Sequence, residues 1–118
     1  MHQHYQELTK NTANYIPLSP LSFLARTADI FGTRTAIIYG DRHYSWRQTY
    51  GRCRALASAL NRHGLGLGDT VSIIAANTPE MYEAHFGVPM AGCVLNTINT
   101  RLEPETIAYI LADSDSKL

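Results

Sequence analysis

The sequence is short of net charge, of cysteine and of long apolar runs, and each shortage excludes a class of function. Ten acidic residues balance ten basic ones, so no broad field draws in nucleic acid or an anionic membrane. Cys53 and Cys93 are the only cysteines, and neither sits in a C-x-x-C or Cys/His cluster. They read as two free thiols in a reducing compartment. Histidines stand at positions 2, 4, 43, 63 and 85, and no two share the i, i+4 spacing of a zinc-binding helix, so no metal ligand is expected. The opening "MHQHYQELTK" lacks the apolar stretch of a secretory signal, and no apolar run approaches the roughly 20 residues of a membrane-spanning helix. The compartment these features predict is the cytoplasm.

A phosphate-cradling loop is also missing. "HGLGLGD", His63 to Asp69, has three glycines, but it follows a predicted helix and precedes a predicted strand. A cradle needs the reverse order, a strand before the glycines and a helix N-terminus after them. The segment reads as a connector.

What is present suits one globular core: 118 residues, 45% hydrophobic and 17% charged, too apolar for intrinsic disorder. Residues 1–17 are polar and aperiodic and read as an N-terminal arm, while 18–118 carry the regular pattern. Ser19 followed by Pro20 predicts a capped helix whose apolar positions are Leu21, Leu24, Ala28 and Phe31, ended by Gly32. "TAIIYGDRHYSW" predicts a hairpin turning at Gly40-Asp41. Ser45 with Gln48 makes a capping box, and Thr49, Cys53, Leu56, Ala57 and Leu60 form the apolar stripe of the helix that follows. Trp46 is expected to pack at the corner between hairpin and helix.

From Thr70 onward the order is strand, helix, strand, helix. "DTVSIIAAN" and "GCVLNTI" are near-continuous apolar runs of strand length, as expected for strands buried on both faces. Thr78-Pro79-Glu80 opens the helix between them, with a cap, a proline at the first position and a carboxylate near the positive end of the dipole. Pro104 opens the last helix, whose apolar face carries Ile107, Ile110 and Leu111. Lys117-Leu118 reads as the start of a further strand. Such alternation implies right-handed crossovers and parallel strands. The fold class is α/β, a β-hairpin followed by parallel βαβα units.

The ordered series from "PLSFLARTADIFGTRTAIIYG" to "YSWRQTYGRCRALASALNRHGLGLGDTVSIIAANTPEMYEAHFGVPMAGCVLNTINTRLEPETIAYILADSDSKL" resembles the AMP-forming acyl-CoA synthetases of the adenylate-forming superfamily. "HFGVPMAG" followed by "VLNTINTRL" looks most like fatty-acyl, medium-chain and 3-methylmercaptopropionate-type ligases, rather than acetate-specific or amino-acid-specific members. The resemblance implies that residues 18–118 are an incomplete first part of the AMP-binding large domain. It further implies an intact enzyme that uses ATP, Mg2+ and CoA to convert a short- or medium-chain carboxylic acid first to an acyl-adenylate and then to a thioester.

In that family the phosphate loop, the magnesium-holding glutamate, the ribose-binding aspartate and the lysine of the mobile C-terminal domain lie beyond the region matched here. The chain therefore reads as a fragment, inactive alone, with no catalytic residue of its own. Its candidate site is the loop after the second parallel strand, which the resemblance sets near the tunnel for the pantetheine of CoA. Asn99, Thr100 and Arg101 are the candidates for lining it, Arg101 beside a CoA phosphate. Beside this stands a plain alternative in which Asn96 and Asn99 satisfy turn backbone and Arg101 is solvated. His85 reads as a hydrogen-bonded core histidine, Met81 and Met90 as core filler, and Gly92 as a packing residue. Two rival functions stay open: a non-catalytic binding or dimerisation module, and an adenylating enzyme that does not use CoA. The arm, with Tyr5, Tyr15 and Ile16, is the expected contact of a homodimer.

Overall fold

The computed structural model describes residues 9–13 and 15–118; Tyr5 lies outside them. Helix α1 (Pro20–Ile30) starts where Ser19 Oγ accepts from the Leu21 N–H at 3.2 Å, and it buries Leu24 and Ala28. Phe31 caps the helix and stays 44% exposed, so it is not the core position its spacing predicts. Strands β1 (Thr35–Tyr39) and β2 (Arg42–Ser45) pair antiparallel across a two-residue turn, and Gly40 supplies the positive φ (56°) that the turn requires.

Helix α2 (Trp46–Arg62) begins with the full capping box of Ser45 and Gln48. It buries Thr49, Cys53, Ala57 and Leu60 of the expected stripe, while Leu56 is half-buried against the core. Trp46 is half-buried at the corner, its N–H donating to Arg34 O at 3.0 Å.

Strand β3 (Thr70–Ile74), helix α3 (Pro79–Met90), strand β4 (Val94–Ile98) and helix α4 (Pro104–Asp113) complete the chain. β3 and β4 are parallel and in register from Thr70–Val94 to Ile74–Ile98. One face of this sheet meets α2 and α3 in a core of Ala57, Leu60, Val71, Ala84, Val88, Ala91 and Cys93. Burying side chains such as Leu60 and Val88 contributes about 1.5–3 kcal/mol each. The other face carries Ile74, Val94 and Ile98 beside a polar network. Asn96 Nδ2 donates to Ser72 Oγ at 2.9 Å and to Ser114 Oγ at 3.1 Å, and Ser116 Oγ bonds to both serines.

The two strands are therefore not the doubly buried runs their composition predicts: Ile74 is 47% and Val94 54% exposed. Composition misled because an apolar run does not reveal how fully it is covered: α2 and α3 close one face, while α4, whose cap residue Ser114 bonds Asn96 on the other, buries none of its own residues fully. Beyond α4, Lys117 N donates to Thr70 O and Ser72 N to Leu118 O, both at 2.8 Å, which is the expected start of a strand parallel to β3. β3 thus stands between β4 and the Ser116–Leu118 segment, and the crossover through α3 runs to one side of it while that through α4 runs to the other.

Candidate functional site

This reversal marks the carboxyl end of β3 as a topological switch point, the place where open α/β sheets bind ligands. Ala75, Ala76 and Asn77 leave β3 there, and Asn99, Thr100 and Arg101 leave β4 beside them. A cleft of about 520 Å3 lies between, with Asn77, His85, Thr97, Asn99 and Thr100 as its polar lining and Ala75, Ala76, Met81 and Ile98 as its apolar one. No charged side chain lines it. The groups that face a ligand are amides, hydroxyls and an imidazole, a set suited to a neutral chain bearing amides and methylenes rather than to a phosphate.

Local sequence fixes each wall. Thr78 Oγ1 accepts from the Met81 N–H at 3.4 Å and Pro79 occupies the first helical position, so α3 starts directly after Asn77. His85 lies one turn beyond Met81, with Nδ1 2.8 Å from Met81 O. A carbonyl only accepts, so Nδ1 carries the hydrogen and Nε2 is left as an acceptor. The histidine is hydrogen-bonded as expected but exposed rather than in the core, because this side of α3 faces the strand ends. Asn99 Oδ1 accepts from the Arg101 N–H at 2.9 Å, which shapes the turn and leaves the Asn99 amide nitrogen as a donor. Arg101 is exposed and is not part of the cleft lining. Asn96 serves no turn; it is spent on the serines of the polar network. Gly92 takes φ 84° and accepts from the Gly68 N–H at 3.0 Å, a packing role.

Asn77 and His85 join Asn99 and Thr100 in this cleft, a grouping that spacing alone does not reveal. The sequence signals for them are the place of Asn77-Thr78 at the end of the first parallel strand, which brings them within reach of a ligand although capping alone explains Thr78, and a polar imidazole within an otherwise apolar helical stretch.

Ion pairs hold the scaffold behind the site. Arg42 pairs with Glu80 through two bonds, at 2.7 and 3.3 Å, tying β2 to the first turn of α3. Those bonds hold the Glu80 carboxyl down to about 2. Arg52 reaches the buried Glu83 through Nε and through Nη2, the latter at 3.0 Å, tying α2 to α3. Burial, with Glu83 nearby, pushes the Cys53 thiol up to about 11, so it is inert as a nucleophile at neutral pH.

Among the described residues no three of His, Cys, Asp and Glu group to hold a metal ion, and no glycine loop joins a strand to a helix N-terminus. These residues do not fit ATP with Mg2+, and no adenylation step is derived through them.

A family profile for AMP-binding enzymes matches residues 24–118. The chain belongs to the AMP-binding enzyme family. It is 57% identical over 110 residues to an acetate–CoA ligase of Humulus lupulus, covering 93% of this chain and 19% of that protein. It is 55% identical over 112 residues to a peroxisomal acetate/butyrate–CoA ligase of Arabidopsis thaliana, covering 95% and 20%. Among solved structures, the anthranilate CoA ligase AuaEII in complex with anthranoyl-AMP matches with a TM-score of 0.81 at 25% identity, covering 92% of this chain and 21% of that one. A Rhodopseudomonas palustris protein designated a long-chain-fatty-acid CoA ligase matches with a TM-score of 0.79 at 32% identity, covering 84% and 25%. The chain thus spans about a fifth of the length of the curated relatives it matches. Relatives named for acetate stand at this identity, so the chain is not set apart from acetate-specific members as its wording suggests.

Proposed function

We propose that the intact protein carrying these residues is an ATP-dependent acyl-CoA ligase for a short- or medium-chain carboxylic acid, and that residues 1–118 alone do not turn over. In the first step the carboxylate would attack the α-phosphorus of ATP and release pyrophosphate. In the second the CoA thiol would attack the acyl-adenylate carbonyl, giving the thioester and AMP, with Mg2+ neutralising the phosphates in the first step. The observation that carries this reading is the family match over residues 24–118, with high-identity relatives named as ligases of acetate and butyrate.

The cleft of Asn77, His85, Asn99 and Thr100 supports a role on the CoA side. Its neutral donors and acceptors suit the two amides of pantetheine, and Met81 and Ile98 suit the methylenes between them. Arg101, exposed at the rim, is the residue available to a CoA phosphate. Pyrophosphate release and thioester formation by the intact protein, measured with acids from acetate to octanoate, test the reading. No release with any acid overturns it. Release without thioester moves the protein to the adenylating enzymes that do not use CoA.

Two further points belong to this proposal. Tyr15 and Ile16 of the arm are 45% and 74% exposed, which supports a homodimer contact there; light scattering that gives one unchanged mass with and without the arm refutes it. For compartment we propose the cytoplasm, and the peroxisomal naming of a relative makes a fluorescent fusion of the intact protein the direct test. Peroxisomal puncta would refute it.

A further inference from the structure

The hairpin leaves one strand edge open. Among the described residues β1 pairs with β2 alone, and a two-stranded ribbon is marginal without a further strand or a helix against it. A groove of about 640 Å3 runs beside β1. Residues 36–39 line one side, and Thr78, Met81, Tyr82, His85 and Phe86, on α3 and at its cap, line the other. Four consecutive residues of β1 border it and none of β2 does. A groove over a sheet face would take alternate residues from both strands, so this one follows the free edge of β1.

That edge presents backbone groups. The pair that closes a two-residue turn, Tyr39 and Arg42, exchanges bonds, and bonded pairs alternate with non-bonded ones along an antiparallel ladder. Ile38, opposite His43, therefore turns its N–H and C=O away from β2 and toward the groove. Its side chain is 68% exposed. The facing wall has the spacing of one helix face, and the Tyr82 and Phe86 rings on it lie 5.3 Å apart. No charged side chain lines either wall. The two bonds from Arg42 to Glu80 join hairpin to α3 and fix the spacing between the walls.

These features select the occupant. An unpaired strand edge calls for backbone donors and acceptors, which a hydrocarbon chain does not have. A second copy fits poorly: a stable contact between chains buries about 1,200 Å2 or more, whereas this slot follows one strand of five residues, about 17 Å long. A segment of the same polypeptide needs no such area, because its tether holds it at high effective concentration, and the chain spans only about a fifth of the length of its curated relatives. We propose that an extended segment of the intact protein, from outside residues 1–118, pairs with β1 as a third strand and seats alternate apolar side chains on Met81, Tyr82 and Phe86. The groove shares Asn77, Met81 and His85 with the cleft at the strand ends, so the same segment borders that cleft. The proposal goes beyond the ligase reading and does not depend on it, because its test reads backbone pairing and position alone.

The test uses the intact protein. Hydrogen–deuterium exchange resolved to single amides should show Ile38 exchanging at least about a hundredfold more slowly than an unstructured amide. This arm reads the wild type and stands whatever a variant does to folding. Tyr39→p-benzoylphenylalanine keeps an aromatic ring on the groove and reports by photo-cross-linking what lies there. The expected product is a cross-link within one polypeptide, to a peptide outside residues 1–118. Exchange of Ile38 at the rate of an unstructured amide overturns the proposal. So does a cross-link that joins two copies, or one that stays within residues 1–118. Acid-dependent pyrophosphate release by the same wild-type sample reads the ligase proposal separately.

Discussion

Two helical glycines, Gly51 in α2 and Gly87 in α3, should respond to the same substitution with opposite signs. A methyl group at Gly51 meets nothing within 4 Å. Gly51→Ala should therefore show only the helix-propensity gain, about 0.5–1 kcal/mol of added stability. A methyl group at Gly87 would lie 2.7 Å from Leu56 Cδ2, 3.0 Å from Leu56 Cβ and 2.9 Å from Cys53 O. The leucine tip can rotate away, but the carbonyl belongs to α2 and moves only with the helix. Overpacking of a tight contact costs about 1–3 kcal/mol, which exceeds the same propensity gain, so Gly87→Ala should lose about 1–2 kcal/mol net. Urea melts of both variants beside the parent provide the assay, with the shift of midpoint at unchanged slope as the readout. Equal stabilisation by both substitutions would refute the claim that α2 and α3 approach through Gly87, and would make the glycine there incidental.

The ion pairs differ in burial and should differ in worth. Arg52→Ala leaves Glu83, 6% exposed, without its partner and should cost about 2–3 kcal/mol, whereas Arg42→Ala removes a solvent-screened pair and should lower the melting temperature less; thermal melts of the two variants decide. Glu80 is held at about 2 by its bonds to Arg42, below the ordinary 4.5, so its contribution is full above pH 4.5 and is lost as pH falls through 2. The stability gap between the parent and Glu80→Gln should accordingly be constant from pH 7 to 5 and close below 4; a gap that widens in acid contradicts the pairing. Thr49 is fully buried and its hydroxyl has no partner among the described residues, so Thr49→Val should be neutral or stabilising by about 1 kcal/mol. A loss above that in the urea midpoint means the hydroxyl has a partner in the intact protein.

The features legible in the sequence are those whose cause is local. Ser19, Ser45 and Thr78 cap helices because a short side-chain oxygen meets the free N–H groups of its own first turn. Gly40 turns the hairpin because its own φ is positive. The errors lie where the cause is tertiary. The run "TVSII" reads the same however fully it is covered, and only the partners of Ser72, which are Asn96 and Ser116, show that its second face holds a polar network. Asn77 and Asn99 are 22 positions apart and share a cleft only because β3 and β4 are parallel and in register.

That register also explains why the candidate loop has Asn77 and His85 as companions. Parallel pairing sets the carboxyl ends of β3 and β4 side by side, so whatever follows Ile74 must flank whatever follows Ile98. The residue preceding the Thr78 cap is then committed to the cleft as firmly as Asn99 is. Two turns along α3, His85 is brought onto the same side by the helical repeat, and its bond to Met81 O fixes which nitrogen faces out. Helix cap, parallel register and imidazole tautomer are three separate constraints that converge on one neutral, amide-compatible cleft. Among the described residues no charged side chain lines it, and Arg101 stands exposed beside it.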